Sequence, residues 1–470
     1  MSARALFVGG TSSNAGKSWM ATAICAWLRG NGVAVAPFKA QNMSNNSYPC
    51  TGGGEIGRAQ VVQAEACGLE PEPAMNPILL KPNGNGTSQV VVNGRMWKTL
   101  SAREYYAHAG ALRTTVLDAY ADLAGRFDAI VIEGAGSVTE LNLREHDLVN
   151  LGLVTRIGCP WMLVADIERG GVFASVIGTA HLLDVAEASL FRGFAVNKFR
   201  GDRSLLDEGV RIMERRTAAP CLGVFPYEPD IHLDAEDSLA LRTRALDPAP
   251  PGAAIAIVAF PRMSNATDFR LLTWADWITS PGSRHYDFII LPGSKNTIAD
   301  LGWMREVGIA EWILEQHQRG ATIVGICGGY QMLGRSISDP TGVESQIGSA
   351  AGLGLFPAQT TLMPTKRTRA VAATTPGGVT FGGYEIHVGV TMFDAANEAP
   401  FAILADGNAD GARGGRVLGT YLHGAFEHPQ VCAEIFGIEA PPAAPKAAEY
   451  RRLGEWFETH GRHLDRLGFF

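Results

Sequence analysis

A chain of 470 residues exceeds the size at which one hydrophobic core stops growing, so two domains are expected, and 46% hydrophobic with 19% charged residues is the composition of an ordinary water-soluble enzyme. The formal net charge of -7 comes without a block of like charges, which argues against a nucleic-acid partner, and no apolar run approaches the ~20 residues of a membrane span. Seven cysteines, an odd number without a C-x-x-C pair, fit reduced thiols in the cytoplasm better than a disulfide framework or a zinc site, and the opening residues read as a first strand rather than a secretory signal.

From residue 4 to about 225, short apolar runs alternate with helix-length stretches. Candidate strands are Ala5–Val8, Val33–Phe38, Ala129–Ile132, Trp161–Ala165, Phe194–Val196 and Cys221–Val224, a pattern that predicts a mainly parallel sheet covered on both faces. The first strand runs into Gly9-Gly-Thr-Ser-Ser-Asn-Ala-Gly-Lys-Ser18 and a helix-compatible run, Trp19–Arg29. Glycines let backbone N–H groups face phosphate oxygens, the helix N-terminus adds positive potential, Lys17 reaches terminal phosphates and Ser18 can ligate Mg²⁺. Five residues separate Gly10 from Gly16, one more than in the standard loop, and this longer form resembles the dethiobiotin synthetase branch of P-loop enzymes.

After the second strand come Lys39 and the run Gln41-Asn-Met-Ser-Asn-Asn46, placed to face the phosphate loop. It reads equally as a polar-substrate loop and as an ordinary turn rich in Asn and Ser. The strand Ala129–Ile132 ends in Glu133-Gly-Ala-Gly136, a carboxylate at the sheet edge where ligands of open α/β sheets gather, and Glu133 is the expected Mg²⁺ contact. Asp166-Ile-Glu-Arg-Gly-Gly171 repeats the theme of an acid before glycines, with Arg169 suited to phosphate or carboxylate oxygens. Asn197-Lys198 resembles a base-contacting Asn-Lys element, and reads as well as a solvated pair at a strand end.

Leu246-Asp-Pro-Ala-Pro-Pro-Gly252 is too rich in proline for a regular element and marks a linker. Alternation then restarts with Ala254–Ala259, Phe288–Leu291 and Thr322–Ile326. The domains expected are therefore 1–235, a linker over 236–252, a second α/β domain over 253–445 and a helical extension over 446–470, where Tyr450, Leu453 and Phe457 recur at helical spacing. In the second domain, Thr322-Ile-Val-Gly-Ile-Cys-Gly-Gly-Tyr-Gln-Met-Leu333 presents a strand, a sharp turn and a helix, the thiol version of a nucleophile elbow centred on Cys327. Leu291-Pro-Gly-Ser-Lys295 is the partner loop for an oxyanion hole, with the Gly293–Ser294 backbone as donor. His423, in Gly419-Thr-Tyr-Leu-His-Gly-Ala425, is the expected base, and His387 is its competitor.

Taken together, Gly10-Thr…Gly-Lys-Ser18, Lys39–Asn46, Glu133-Gly-Ala-Gly-Ser137 with Asn142-Leu-Arg144, Asp166–Gly171, Gly325-Ile-Cys-Gly-Gly329 and Tyr421-Leu-His-Gly424 make the chain resemble, over nearly its whole length, the cobyric acid synthase family of glutamine-hydrolysing amidotransferases in cobalamin biosynthesis. The resemblance implies an N-terminal P-loop parallel-sheet domain followed by a C-terminal α/β glutamine amidotransferase domain. It implies ATP and Mg²⁺, L-glutamine and a corrinoid acceptor, with the b, d, e and g carboxylates of adenosylcobyrinic acid a,c-diamide amidated through acyl phosphates.

Residue by residue it implies Gly10, Thr11, Asn14, Gly16, Lys17, Ser18 and Asn197 at the nucleotide, and Ser18 with Glu133 at the metal. Lys39, Gln41, Asn42, Asn45, Asp166 and Arg169 fall to the acceptor. Cys327 and His423 are catalytic, and Gly293, Ser294, Gly328 and Gln331 serve the oxyanion and glutamine. One departure stands out: the usual H-x-E is His423-Gly-Ala425 here, so a Cys–His dyad is expected. A homo-oligomer is compatible with all of this. The nearest alternative is the a,c-diamide synthase of the same pathway, disfavoured by the amide-rich loop. A P-loop switch or partition ATPase with a non-catalytic glutaminase-like domain is the alternative of a different class.

Overall fold

The computed structural model describes residues 3–83, 86–231, 233–234, 248–251, 253–345, 347–394, 399–439 and 445–469. The first half is built on a six-stranded sheet in the order Cys221–Pro226, Phe191–Phe199, Trp161–Asp166, Arg4–Gly10, Ala129–Glu133, Val35–Phe38, with every pairing parallel. Each predicted strand of this half lies in it. Both faces are buried, as continuous apolar runs require. Leu6 and Val8 enter one core with Ile24 and Val131, while Phe7 between them enters another with Ile130 and Trp161. The three central strands end together in register, Val8 beside Glu133 and Gly10 beside Val164, so the loops following them share one edge of the sheet.

The second half repeats the design. Its sheet runs Asp276–Ile278, Ile255–Val258, Phe288–Leu291, Thr322–Ile326, Val417–Thr420, Ala412–Gly414, parallel except for the last strand. The two parallel sheets bear out the α/β class expected of both halves. The expected linker, 236–252, falls mostly outside the described residues. Among the described residues no helix is long and apolar enough to cross a membrane, and all seven cysteines are free.

Among the described residues, several β elements escaped the sequence reading, two of them large. Between Val35–Phe38 and Ala129–Glu133 the chain forms a four-stranded sheet from Gln41–Met43, Ile78–Pro82, Thr87–Val92 and Arg95–Ser101. Its first strand is the polar Gln-Asn-Met, which carries no apolar signal. The second is a long antiparallel pair, Ala358–Thr374 with Thr380–Phe393, much of it exposed on one side and hence without a continuous apolar run.

The C-terminal helix, Lys446–His460, has an unexpected partner. It follows the second domain in sequence yet packs on the first, against helix Lys17–Gly30, with Phe457 on Trp27 (centroids 5.3 Å) and Trp456 edge-on to Trp19 (6.1 Å). Gly454 permits the approach, since a Cβ there would stand 3.1 Å from the Trp27 backbone nitrogen. The helix behind the phosphate loop is thereby covered on its outer side.

Candidate functional site

The phosphate loop is held open by backbone conformation. Gly16 has φ 99°, and a Cβ there would collide with the Asn197 amide, which donates from Nδ2 to the Ala15 carbonyl at 3.0 Å. Thr11 donates its N–H to the Val164 carbonyl at 3.0 Å, tying the loop to the next strand. Gly10 abuts the Lys17 stem. Lys17 Nζ donates to the carbonyls of Ser12 (2.9 Å) and Gly136 (2.8 Å), spanning the cradle from one loop to the other.

Glu133 is 1% exposed and accepts from Ser18 Oγ (2.8 Å) and Lys39 Nζ (2.8 Å) on Oε1, and from Gln60 Nε2 (3.3 Å) and Gln63 Nε2 (2.5 Å) on Oε2. A hydroxyl and a carboxylate meeting at the mouth of a phosphate cradle are the hard-oxygen donors that Mg²⁺ takes alongside phosphate oxygens and water, so the residues fit that ion. A cavity of about 960 Å³ opens there. Asn14, Gly16, Lys17 and Ser18 line it from the loop, and Lys39, Gln41, Asn42, Glu133 and Arg169 from its other walls.

Other expected residues sit elsewhere. Asn197 and Thr11 brace the loop from below. Asp166 accepts from Lys198 Nζ at 2.9 Å and from the Glu168 N–H at 2.7 Å, so its carboxylate is engaged beside the cavity, and Lys198 stands at the lip instead. Asn45, expected with the acceptor, lies in a different pocket altogether, beside Cys327. The reason is the pleat and turn of the chain after Met43: Asn42 faces the first domain, while Asn45 has passed into the seam with the second.

Cys327 occupies the elbow between strand Thr322–Ile326 and helix Gly328–Leu333, at φ 50° and ψ -107°. For a non-glycine residue that conformation costs roughly 1–3 kcal/mol, held here by the bond from Cys327 N–H to the Thr420 carbonyl at 2.8 Å. A Cβ at Gly329 would run into the Leu291 carbonyl and one at Gly328 would approach the Ser294 nitrogen to 2.8 Å, so the glycines let the elbow press on the 291–294 loop. Ser294 Oγ donates to Asp300 at 2.6 Å, which orients that loop.

The neighbouring strand carries the base. Ile326 pairs with Thr420, bringing His423 to Cys327. His423 is 1% exposed, stacks on Tyr384 (centroids 5.3 Å, 23°) and binds Asp268 Oδ2 through Nδ1 at 2.7 Å. Asp268 Oδ1 also accepts the Gly424 N–H at 2.7 Å. Burial would depress the imidazole pKa, but the Asp268 carboxylate and the facing Cys327 thiol lift it to about 10. The expected dyad is thus corrected to a Cys327–His423–Asp268 triad. The acid comes from the short 3₁₀ turn Ala266–Phe269 instead of from the residue two beyond the histidine. A single Asp in the short segment Asn265-Ala-Thr-Asp-Phe269 after the first strand of the domain was the available signal.

His387 faces the same pocket, but its Nδ1 is bonded to the Gly389 carbonyl (2.8 Å), its Nε2 lies 3.4 Å from Glu385 and its ring stacks on Tyr421 at 3.9 Å. The cavity at Cys327 measures about 40 Å³ and includes Gly328, Ser294 and Gln331, whose buried Oε1 has no hydrogen-bond partner among the described residues. Lys81 and Gln89 of the first domain complete it. Burial pushes the Lys81 amine down to about 7 despite its 2.6 Å bond to Glu55, and Lys295, bonded to Gln89 at 2.9 Å, down to about 8. Lys81 and Gln89 have no role in the sequence reading, because no local pattern marks a wall supplied by another domain.

A phosphate cradle with a hydroxyl–carboxylate pair on one parallel sheet, and a thiol–imidazole–carboxylate triad on a second, define a two-domain P-loop protein with a glutaminase-type site. Residues 6–240 match the CobQ/CobB/MinD/ParA nucleotide binding domain, half the chain, and the protein belongs to that family. Residues 254–431 match the CobB/CobQ-like glutamine amidotransferase domain.

Among solved structures, a glutamine amidotransferase is 18% identical, covering 44% of this chain and 98% of its own, with a TM-score of 0.29. The signal recognition particle receptor FtsY from Elizabethkingia anophelis, in complex with GDP, is 15% identical over 50% of this chain and 61% of its own, TM-score 0.29. A putative GMP synthase protein from Thermoplasma acidophilum is 12% identical over 45% and 98%, TM-score 0.27. At these scores the likenesses carry no argument about function.

Proposed function

We propose that the protein is a cobyric acid synthase, a glutamine-hydrolysing carbon–nitrogen ligase that amidates the b, d, e and g carboxylates of adenosylcobyrinic acid a,c-diamide in the cytoplasm. The observation that carries the reading is the pairing on one chain of the Ser18–Glu133 phosphate site with the Cys327–His423–Asp268 site. The first suits activation of a carboxylate, the second release of ammonia, and amide formation from a carboxylate needs both.

Glutamine enters beside Cys327, whose sulfur attacks the side-chain amide carbon. His423 takes the thiol proton as the sulfur attacks, and Asp268 stabilises the imidazole in its protonated form. Backbone N–H groups of the Gly293–Ser294 loop and Gly328 are suited to the tetrahedral oxyanion. His423 protonates the departing ammonia, and water then cleaves the thioester to glutamate. In the first domain, Lys17 and the loop N–H groups hold ATP phosphates, with Ser18 and Glu133 as ligands for Mg²⁺, which supplies charge neutralisation when bound. The acceptor carboxylate takes the γ-phosphoryl group of ATP with release of ADP, ammonia displaces phosphate from the acyl phosphate, and the amide forms with loss of a proton. A cavity of about 960 Å³ is at the upper end of small-molecule sites, as a corrinoid with several peripheral carboxylates demands.

The test is mass spectrometry of adenosylcobyrinic acid a,c-diamide incubated with enzyme, MgATP and glutamine, beside Cys327→Ala given glutamine or ammonium. Up to four successive amidations are expected, lost in the variant with glutamine and retained with ammonium. No change in this substrate, with cobyrinic acid converted to its a,c-diamide, moves the assignment to the diamide synthase. A wild-type protein that releases no glutamate from glutamine overturns the amidotransferase reading and leaves the ATPase switch.

A further inference from the structure

The triad's acid and base both lean on the first domain, and the segment they lean on starts in the phosphate site. Asn265 immediately precedes the turn Ala266–Phe269 and sits in the left-handed region at φ 54°. That conformation is uncommon for a residue with a side chain. Here it is gripped from outside the domain: its N–H donates to Asn46 Oδ1 at 2.7 Å, and its own Oδ1 accepts the Ser47 N–H at 3.1 Å. Asn46, Ser47 and Asn265 are all buried. Inside the turn, the Asp268 N–H donates to the Asn265 carbonyl at 3.1 Å, so the residue held by the first domain is the one that anchors the triad's carboxylate.

The next residue of the same segment reaches the base. Tyr48 packs on Tyr384 with centroids 4.7 Å apart, and Tyr384 is the ring that stacks on His423 and exchanges two backbone hydrogen bonds with it, at 3.0 and 2.9 Å. Asp268 and His423 are thus each held, through Asn265 and Tyr384, by three consecutive residues of the other domain.

Upstream, the segment belongs to the phosphate site. Lys39 binds Glu133, Gln41 and Asn42 line the large cavity, and Asn42 Nδ2 donates to Gln60 Oε1, whose amide nitrogen donates to Glu133. Asn46 lies seven residues after Lys39, at most about 25 Å of extended chain. Much of the segment is buried and hydrogen-bonded, which makes it a stiff connector.

We propose that Asn46, Ser47 and Tyr48 form a clasp that sets the glutaminase triad through Asn265 and Tyr384, so that the segment Lys39–Tyr48 couples the phosphate site to glutamine hydrolysis. The proposal rests on the glutaminase reading above. Asn46, Tyr48 and Asn265 are positioning residues: they touch the groups that hold Asp268 and His423, not the reacting atoms.

The experiment compares Asn46→Ala and Asn265→Gly with the wild-type full chain. Glycine at 265 keeps the left-handed backbone accessible while deleting the acceptor for Ser47, so it separates loss of the clasp from backbone strain. Three rates are read: glutamine hydrolysis alone, glutamine hydrolysis with MgATP and the carboxylate acceptor, and amide formation from ammonium. In both variants kcat for glutamine hydrolysis is expected to fall 10- to 100-fold with KM for glutamine within threefold. Any stimulation by MgATP and acceptor should shrink to less than twofold, while ammonium-supported amide formation stays within twofold of wild type. Parallel loss of the glutamine- and ammonium-supported rates, or wild-type hydrolysis in both variants, overturns the clasp. A wild-type protein without glutaminase activity fails the parent reading instead, before any variant is compared.

Discussion

Asp268→Asn tests the triad most directly. Asparagine has one oxygen: kept on the Gly424 N–H, now accepted at 2.7 Å, it leaves an N–H₂ donor against His423 Nδ1, where the carboxylate stood at 2.7 Å, and turned to the ring it is an uncharged acceptor that leaves Gly424 facing the N–H₂. If the amide nitrogen faces the ring, Nδ1 must accept, and the imidazole proton is driven to Nε2, the atom that has to take the Cys327 proton. Losing a charge-assisted hydrogen bond is worth about 1.5–3 kcal/mol, roughly 10- to 150-fold in rate. The wrong tautomer adds to this, as a buried Asp-to-Asn change in a hydrolase triad costs about 10⁴ in kcat. Glutamine hydrolysis should therefore fall on the order of 10²- to 10⁴-fold, measured as glutamate released, with ammonium-supported amide formation preserved. A variant hydrolysing glutamine within about threefold of wild type would refute the triad, and equal loss of both activities would make Asp268 a residue of the domain seam.

Lys17→Met removes the cation spanning the phosphate cradle. ATP-dependent product should drop by at least about 10², whichever nitrogen source is supplied, as measured by coupled phosphate release. Asp410 is buried, accepts from Thr420 and from the Tyr421 N–H at 3.2 Å, and burial pushes its carboxyl up to about 7. A raised carboxyl pKa contributes stability below the unfolded value near 3.9 that is lost as pH rises through the folded one. Asp410→Asn should thus gain on wild type by about 1–3 kcal/mol between pH 4 and 7 and hold that gain above pH 7, read from denaturant midpoints across the range. Gly454→Leu forces a side chain against the Trp27 backbone. It should cost about 1–3 kcal/mol and lower the Tm of the first domain's transition by several degrees in calorimetry. An unchanged Tm would mean that the C-terminal helix is not docked as described.

Where function resides in contiguous backbone, the chain's own order was enough. Gly16, Lys17 and Ser18 at a strand-to-helix junction, and Cys327 flanked by glycines at another, were legible because a phosphate cradle and a nucleophile elbow are local structures with obligatory residue types. The continuous apolar runs of both sheets announced parallel strands buried on two faces for the same reason.

Asp268 lay beyond that reach. It stands 155 residues from His423, and no spacing rule links a carboxylate to a ring that meets it only after two strands have paired. Asn45 looked like a neighbour of Asn42 because sequence counts residues, whereas the turn of the chain sends one to the phosphate site and the other to Cys327. Lys81 and Gln89 at the thiol, and the C-terminal helix returning to cover the first domain, are likewise decided by docking. Such contacts depend on which surfaces meet in three dimensions, and a linear pattern carries the local chemistry of each surface but not the identity of its partner.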